Sequence, residues 1–329
     1  MHILSTDDIF SIQTEEEFQD IALRIFRFQA ENNAVYKEYL FHLGIKTAEI
    51  SKIHQIPFLP IEFFKTHQII CNERNVEKTF FSSGTTGQQR SNHYVSDISV
   101  YEKSFLEGFK LFYGTPEDYC IIALLPSYLE NESSSLVYMA DYLIKKSKNK
   151  FSGFYLNSLD ELPLKLKTLE SLNQKTILLG VSYALLDLAE RFPAKLSHTV
   201  IMETGGMKGR RKELTKKELH QALCLGLGVN TVHSEYGMTE LLSQAYSKAD
   251  GKFFTPPWMK VLIRDTYDPF TFLESGKSGG INIIDLANIY SCSFIETKDL
   301  GKMNSDGSFE VLGRFDYSDI RGCNLLVAE

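Results

Sequence analysis

The segment Ser82-Ser83-Gly84-Thr85-Thr86-Gly87 follows an apolar Phe80-Phe81 edge. Its glycines allow a tight turn in which backbone N–H groups converge, and its hydroxyls add further donors. Such a concavity suits phosphate oxygens, although the same composition also serves an ordinary polar surface loop. It lacks the G-x-x-x-x-G-K-[ST] spacing of a P-loop. A cation, Arg90, follows it. A second reactive candidate is Cys323, six residues from the last residue and preceded by Arg321 and Gly322. Thiolate is the nucleophilic form of cysteine, and a neighbouring cation lowers the thiol pKa; the alternative is a packing cysteine. Cys71, Cys120, Cys224 and Cys292 fall in apolar strand or helix contexts and read as packing residues. His233 is either a pocket-lining group or a hydrogen-bonded histidine at a strand end.

These groups need elements to hold them. Over 1–55 the chain reads as helical: Thr14 and Glu17 form a capping-box pattern, and Phe18, Ile21, Ala22, Ile25 and Phe26 recur at helical spacing. Pro57 and Pro60 then begin an extended linker. From 56 to 246, strands at 119–125, 151–156, 176–181, 199–204 and 230–234 alternate with helices such as 133–145, 183–191 and 214–225. That order predicts an α/β core with a largely parallel sheet. From 247 to 329 short strands follow one another, at 259–263, 280–285, 291–296 and 309–312. Turn signals stand at Asp250-Gly251, Gly279-Gly280 and Asp306-Gly307. This predicts an antiparallel β subdomain ending in a tail.

The bulk properties set limits. The 329 residues can bury a large core, and 43% hydrophobic with 23% charged residues is ordinary for a soluble globular chain. A net charge of −7, from 35 basic and 42 acidic residues, argues against nucleic acid or an anionic membrane as partner. No apolar run approaches the ~20 residues needed to span a bilayer, and the N-terminus lacks the pattern of a signal peptide. Five scattered cysteines without a C-x-x-C pair fit a reducing cytoplasm.

The string 82–87 resembles the phosphate-binding loop of the adenylate-forming superfamily, which includes acyl-CoA synthetases and peptide-synthetase adenylation domains. That loop usually continues with Pro-Lys; here Gln88-Gln89-Arg90 follows, so the cation is displaced by one residue. Three further segments are similar to the family's motifs and occur in its order. In Tyr236-Gly237-Met238-Thr239-Glu240 the resemblance places Tyr236 and Gly237 near adenine, Thr239 at the α-phosphate and Glu240 on Mg²⁺. A carboxylate suits that hard cation. Lys298-Asp299-Leu300-Gly301, at a strand end, puts Asp299 on the ribose hydroxyls, with Lys298 where the family has glycine. Gly313-Arg314-Phe315-Asp316 brings Arg314 to ribose or phosphate. Thr204-Gly205-Gly206 resembles the family's turn against adenine. The resemblance runs from about Pro57 to the end and implies the large N-terminal domain of this fold, mostly parallel sheets flanked by helices, with no mobile C-terminal domain or its lysine.

Within the family, Ser318-Asp319-Ile320-Arg321-Gly322-Cys323-Asn324-Leu325-Leu326 resembles the tail of the LuxE-type acyl-protein synthetases. So do Leu125-Pro126-Ser127-Tyr128-Leu129-Glu130 and Ser133-Ser134-Ser135-Leu136. That branch implies ATP and Mg²⁺, a fatty acid activated to acyl-AMP, transfer to Cys323, and delivery to an acyl reductase or acyl carrier protein. Arg90, Arg314 and Arg321 are the candidates to replace the absent lysine. The alternatives are a stand-alone acyl-CoA ligase and a non-catalytic nucleotide-binding protein.

Overall fold

A computed structural model of the protein describes residues 5–72, 74–83, 89–126, 131–205 and 214–314. Three helices open the chain: α1 (Thr6–Phe10), α2 (Glu15–Asn32) and α3 (Ala34–His42). The capping box of α2 forms as the sequence predicts, with Thr14 Oγ1 accepting from the Glu17 amide at 3.2 Å. The buried face of α2 packs on the antiparallel half of the sheet. Gln29 Nε2 donates to the carbonyls of Asn288 and Ile289 at 2.9 and 3.0 Å, and Phe26 meets Phe294 edge-on at 6.0 Å.

The predicted linker is instead a short strand, β1 (Leu59–Pro60), paired in parallel with Ile295 and Glu296 in the C-terminal half of the sheet, and it leads into α4 (Phe63–Thr66). Proline fits there because its missing N–H falls at a sheet edge. A hairpin of β2 (Lys78–Phe81) and β3 (Asn92–Val95) then carries the loop at 82–87. Next come α5 (Ile98–Tyr113), β4 (Cys120–Leu124), α6 (Ser135–Ser147), β5 (Gly153–Phe154), α7 (Leu162–Ser171), β6 (Thr176–Val181), α8 (Ser182–Arg191), β7 (Thr199–Thr204), α9 (Lys216–Leu227) and β8 (His233–Tyr236). Strands β5, β4, β6, β7 and β8 lie side by side in that order, all parallel. Every residue of β4 and β6 is buried, as expected of parallel strands covered on both faces. Helices α5 and α7 are absent from the sequence expectations, and β8 begins three residues later than the expected 230.

Strand direction reverses at β9 (Ala245–Ser247), which pairs antiparallel with β8. The remaining strands are β10 (Phe253–Phe254), β11 (Met259–Arg264), β12 (Ser278–Asp285), β13 (Phe294–Met303) and β14 (Phe309–Arg314), in the order β11-β12-β13-β14-β10-β9. Both halves belong to one continuous 12-stranded sheet. The Asp250-Gly251 signal is a true turn, with φ of 56° and 66° between β9 and β10, the left-handed pair a tight hairpin favours.

Two sequence expectations are corrected here. Gly279-Gly280 is no turn. Both lie inside β12 beneath Arg264, and a Cβ on Gly280 would sit 2.1 Å from the Arg264 Nη1. Arg264 is buried there, paired with Glu296 at 3.2 Å and donating to the Thr297 carbonyl at 3.0 Å. Likewise Lys298-Asp299-Leu300-Gly301 is not at a strand end. It occupies the middle of β13, with an irregularity in pairing between Leu300 and Gly301.

Candidate active site

A cavity of about 410 Å³ opens at the carboxyl ends of β7 and β8. Open α/β sheets place their ligands at such ends. Ser82, Ser83 and Arg90 reach it from the β2–β3 hairpin, Gly205 from the end of β7, and Gly237 and Thr239 from the segment after β8. Ser82 is fixed by its own hairpin: its Oγ accepts from the Ser91 amide at 2.9 Å, and its amide donates to the Ser91 carbonyl at 3.0 Å. The Phe81 amide donates to the Ser133 carbonyl at 2.9 Å, which ties the hairpin to the start of α6. Gly84, Thr85, Thr86, Gly87 and Gly206 lie outside the described residues, as does Cys323.

Gly205 has φ of +68°, and a Cβ built on it would meet nothing within 4 Å. The backbone there is left-handed beside open space, a cradle a planar ring could enter. The Ser182 hydroxyl at the start of α8 donates to the Gly205 carbonyl at 2.7 Å and holds the turn.

Residues 237–244 form a turn between antiparallel strands, with the Leu241 amide donating to the Met238 carbonyl at 3.1 Å. Its shape is set by neighbours the sequence did not single out. His93 on β3 meets the Thr239 carbonyl through Nδ1 at 2.8 Å, and burial pushes its pKa down to about 4, so the ring is neutral and donates from that nitrogen. Asn288 Nδ2 donates to the Glu240 carbonyl at 2.8 Å. The buried Asp285 carboxylate accepts from the Leu242 and Ser243 amides at 2.8 and 3.0 Å and from the Ser243 hydroxyl at 2.5 Å. Burial nonetheless pushes Asp285 up to about 6.

Tyr236 ends β8, buried edge-on against Phe253 and Phe309 at 5.8 and 5.5 Å. Its hydroxyl donates to Asp299 Oδ2 at 2.8 Å. Asp299 faces Arg314 in register across β13 and β14, and Arg314 Nε lies 3.3 Å from its Oδ1. Burial raises the Asp299 pKa, while Tyr236 and Arg314 oppose that shift. Each carboxylate oxygen holds one partner and keeps capacity for another. The flanking Lys298 pairs with Glu62.

Glu240 is buried, and desolvation raises its pKa against the influence of Ser91 and Arg314. Among the described residues no group of three His, Cys, Asp or Glu side chains could hold a metal. Glu240 does not itself line the cavity, although its neighbour Thr239 does; a single carboxylate is enough protein ligand for Mg²⁺, which commonly takes one or two and completes its shell with water and phosphate oxygens. A bound cation would also offset the cost of burying the charge.

Two lining residues carried no sequence signal of function. Glu235 on β8 accepts from the Thr204 hydroxyl at 2.5 Å, and burial pushes it up to about 7. Gln244 is buried beside it. Ser234, Glu235 and Tyr236 are all buried, so β8 is covered on both faces and no alternation in the sequence marks Glu235. His233 does not line the cavity; its Nδ1 sits 3.1 Å from the Tyr113 hydroxyl. Cys71, Cys120 and Cys292 are buried, and Cys224 partly so.

No protein-family model matches the sequence, and no curated protein matches it. Solved structures do. ATP-bound MatB from Rhodopseudomonas palustris superposes with a TM-score of 0.55 at 20% identity, covering 74% of this chain and 50% of its own. A 2-hydroxyisobutyryl-CoA ligase, in an open conformation with 2-HIB-AMP and CoA, gives 0.66 at 10% identity over 92% of this chain and 70% of its own. A long-chain-fatty-acid-CoA ligase from Archaeoglobus fulgidus gives 0.52 at 14% identity over 75% and 53%. This chain therefore carries the α/β fold of the adenylate-forming ligases and spans about half the length of MatB.

Proposed function

We propose that this protein activates a carboxylic acid with ATP, forming an acyl-adenylate and releasing pyrophosphate. The observation that carries the reading is the convergence of Ser82, Ser83, Arg90, Gly205, Gly237 and Thr239 on one cavity, next to the Tyr236–Asp299–Arg314 cluster. Three stretches far apart in sequence line the cavity, and two more meet the last of them in the adjoining cluster, each similar to a motif of one family.

In this reading a carboxylate oxygen of the acid attacks the α-phosphorus, and the bond to pyrophosphate breaks in line. Ser82, Ser83 and the 84–87 loop hold phosphate oxygens through N–H and O–H donors. Thr239 lies at the α-phosphate, and Arg90 and Arg314 supply positive charge as pyrophosphate leaves. Glu240 would hold Mg²⁺, which neutralises phosphate charge when bound. Asp299 accepts from the ribose hydroxyls, and Tyr236, with Gly205 and Gly206, flanks adenine. The thiolate of Cys323 then attacks the acyl carbonyl, AMP leaves, and the thioester passes to an acyl reductase or acyl carrier partner. The kinship of fold with two CoA ligases and MatB favours one rival, in which free CoA takes the acyl group instead.

Incubation with ATP, Mg²⁺ and a panel of acids, following pyrophosphate and intact mass, tests both. Acid-dependent pyrophosphate release with a hydroxylamine-labile adduct, lost in Cys323→Ala, is the expected result. Release without adduct, with CoA thioester formed and turnover intact in Cys323→Ser, would move the acceptor role to CoA. No release with any acid would overturn the reading and leave a nucleotide-binding protein.

A further inference from the structure

The described inner wall of the cavity is unsuited to a hydrocarbon chain. Leu136 and Met139 supply apolar surface, but Tyr101, Thr204, Glu235 and Gln244 stand with them. Glu235 and Gln244 are 8% and 6% exposed. Gln244 Oε1 is buried and finds no hydrogen-bond partner among the described residues. Glu235 Oε2 takes the Thr204 hydroxyl at 2.5 Å, a bond set by the in-register pairing of β7 with β8. Its Oε1 lies 2.5 Å from the point where a Cβ on Gly237 would stand, and Gln244 Cγ lies 3.4 Å from the same point. Two buried polar side chains thus converge over a residue that has none.

Among the described residues that line the cavity Arg90 is the one cation, and Lys216, which does not line it, only partly offsets the burial of that carboxyl. Lys216 on α9 pairs with Glu203 at 2.5 Å, and Glu203 precedes Thr204 in β7, so its side chain leaves the opposite face of the sheet. A buried acceptor left without a donor costs roughly 1–3 kcal/mol. An alkyl chain laid against Glu235 and Gln244 would leave that cost in place and remove what water reaches them. A ligand donor would relieve it. The pair also lies close to the site of activation, since Gly237 and Thr239, two and four residues after Glu235, line the same cavity.

We propose that the acid activated here is short and carries a hydroxyl or amine a few bonds from its carboxylate, bound by Glu235 and Gln244, in place of the fatty acid implied by the resemblance. The proposal rests on the acid-activation reading. With burial pushing Glu235 up to about 7, its carboxyl can accept from a hydroxyl or ionise against an ammonium group, so the same site serves either donor.

The test uses propanoate and butanoate, their 2- and 3-hydroxy and amino derivatives, and dodecanoate, with wild type, Glu235→Gln and Glu235→Ala. Pyrophosphate release in wild type should favour at least one donor-bearing acid over its plain parent and over dodecanoate by on the order of 100-fold in kcat/KM, because a site built to hydrogen-bond rejects the analogue without the donor. The preferred derivative tells hydroxyl from amine. Glu235→Ala should bring that ratio within about 10-fold of unity, and Glu235→Gln should do so for an amine, whose charge an amide cannot pair, while its carbonyl still accepts from a hydroxyl. Preference for dodecanoate or a plain acid, or an unchanged ratio in Glu235→Ala, overturns the proposal. If no acid drives release from any protein, acid activation itself fails. Saturation-transfer NMR with the same panel then decides the subsite: binding of a donor-bearing acid to wild type and its loss in Glu235→Ala supports it, and equal binding or none overturns it.

Discussion

The Tyr236 hydroxyl donates to Asp299 Oδ2 over 2.8 Å, joining two residues 63 positions apart in the chain. One ends the last parallel strand, the other lies mid-way along β13, and Arg314 closes the cluster from β14. The bond links the two halves of the sheet one residue before Gly237, which lines the cavity. Removing the hydroxyl in Tyr236→Phe keeps the ring against Phe253 and Phe309 and takes one donor from a buried carboxylate, worth about 1–2 kcal/mol. The KM for ATP should rise roughly 10-fold with the melting temperature little changed. Asp299→Ala should raise it further. ATP titrations of pyrophosphate release measure both, and unchanged KM values would remove this cluster from the nucleotide site.

Glu240→Gln removes a charge while keeping shape. If Glu240 holds Mg²⁺, the Mg²⁺ concentration for half-maximal pyrophosphate release should rise by on the order of 10-fold or more. A Mg²⁺ titration checks this; an unaltered midpoint would reduce Glu240 to a packing residue.

Stability should depend on Glu235 with a definite sign. Burial raises its folded pKa to about 7 against 4.5 for the free group, with Glu203 adding to the shift and the Thr204 hydrogen bond and Lys216 opposing it. The folded protein therefore holds more protons than the unfolded chain between those values. Its contribution is fully present below about pH 4.5 and is lost as pH rises through about 7. His93 and His233, both lowered to about 4, act in the opposite sense between pH 4 and 6.5. The difference between wild type and Glu235→Gln isolates the carboxyl. Thermal unfolding from pH 6 to 8.5 should show Glu235→Gln gaining on wild type with pH, by on the order of 1 kcal/mol, since most of the shift is already lost below pH 6. A constant difference would contradict the assignment.

Gly280→Ala should destabilise the fold strongly, by about 2 kcal/mol or more. The added Cβ would lie 2.1 Å from Arg264 Nη1 and 2.4 Å from Cζ. Arg264 cannot swing away without breaking its pair with Glu296 and its bonds to Asn282 and Thr297, and a buried charge left without its partner is costly. Chemical denaturation measures the loss, and a wild-type midpoint would refute this packing account.

Legibility in the sequence followed burial. Strands β6 and β7 are continuous runs bounded by clear breaks, and the expected limits 176–181 and 199–204 match them. Helix α5 escaped because its inner face is not purely apolar. Ser104 and Gly108 stand among Val100, Phe105 and Phe109, where Trp258 packs close and donates from Nε1 to Ser104 Oγ at 3.1 Å. The Gly279-Gly280 pair carried a turn signal for the wrong reason, since space for a guanidinium and freedom for a turn use the same residue. At the site, the loop at 82, the segment after β8, Asp299 and Arg314 were visible as local strings. Asp285, His93, Glu235 and Gln244 were not, because each acts through a partner distant in sequence and none belongs to a string.

The most direct test of acid activation follows oxygen. The acid giving the greatest pyrophosphate release, labelled with ¹⁸O at both carboxyl oxygens, is incubated with ATP, Mg²⁺ and the protein, and the nucleotide products are analysed by mass spectrometry. Attack of the carboxylate on the α-phosphorus predicts one ¹⁸O in AMP and none in pyrophosphate. Unlabelled AMP, or ADP with the label in orthophosphate, would contradict it.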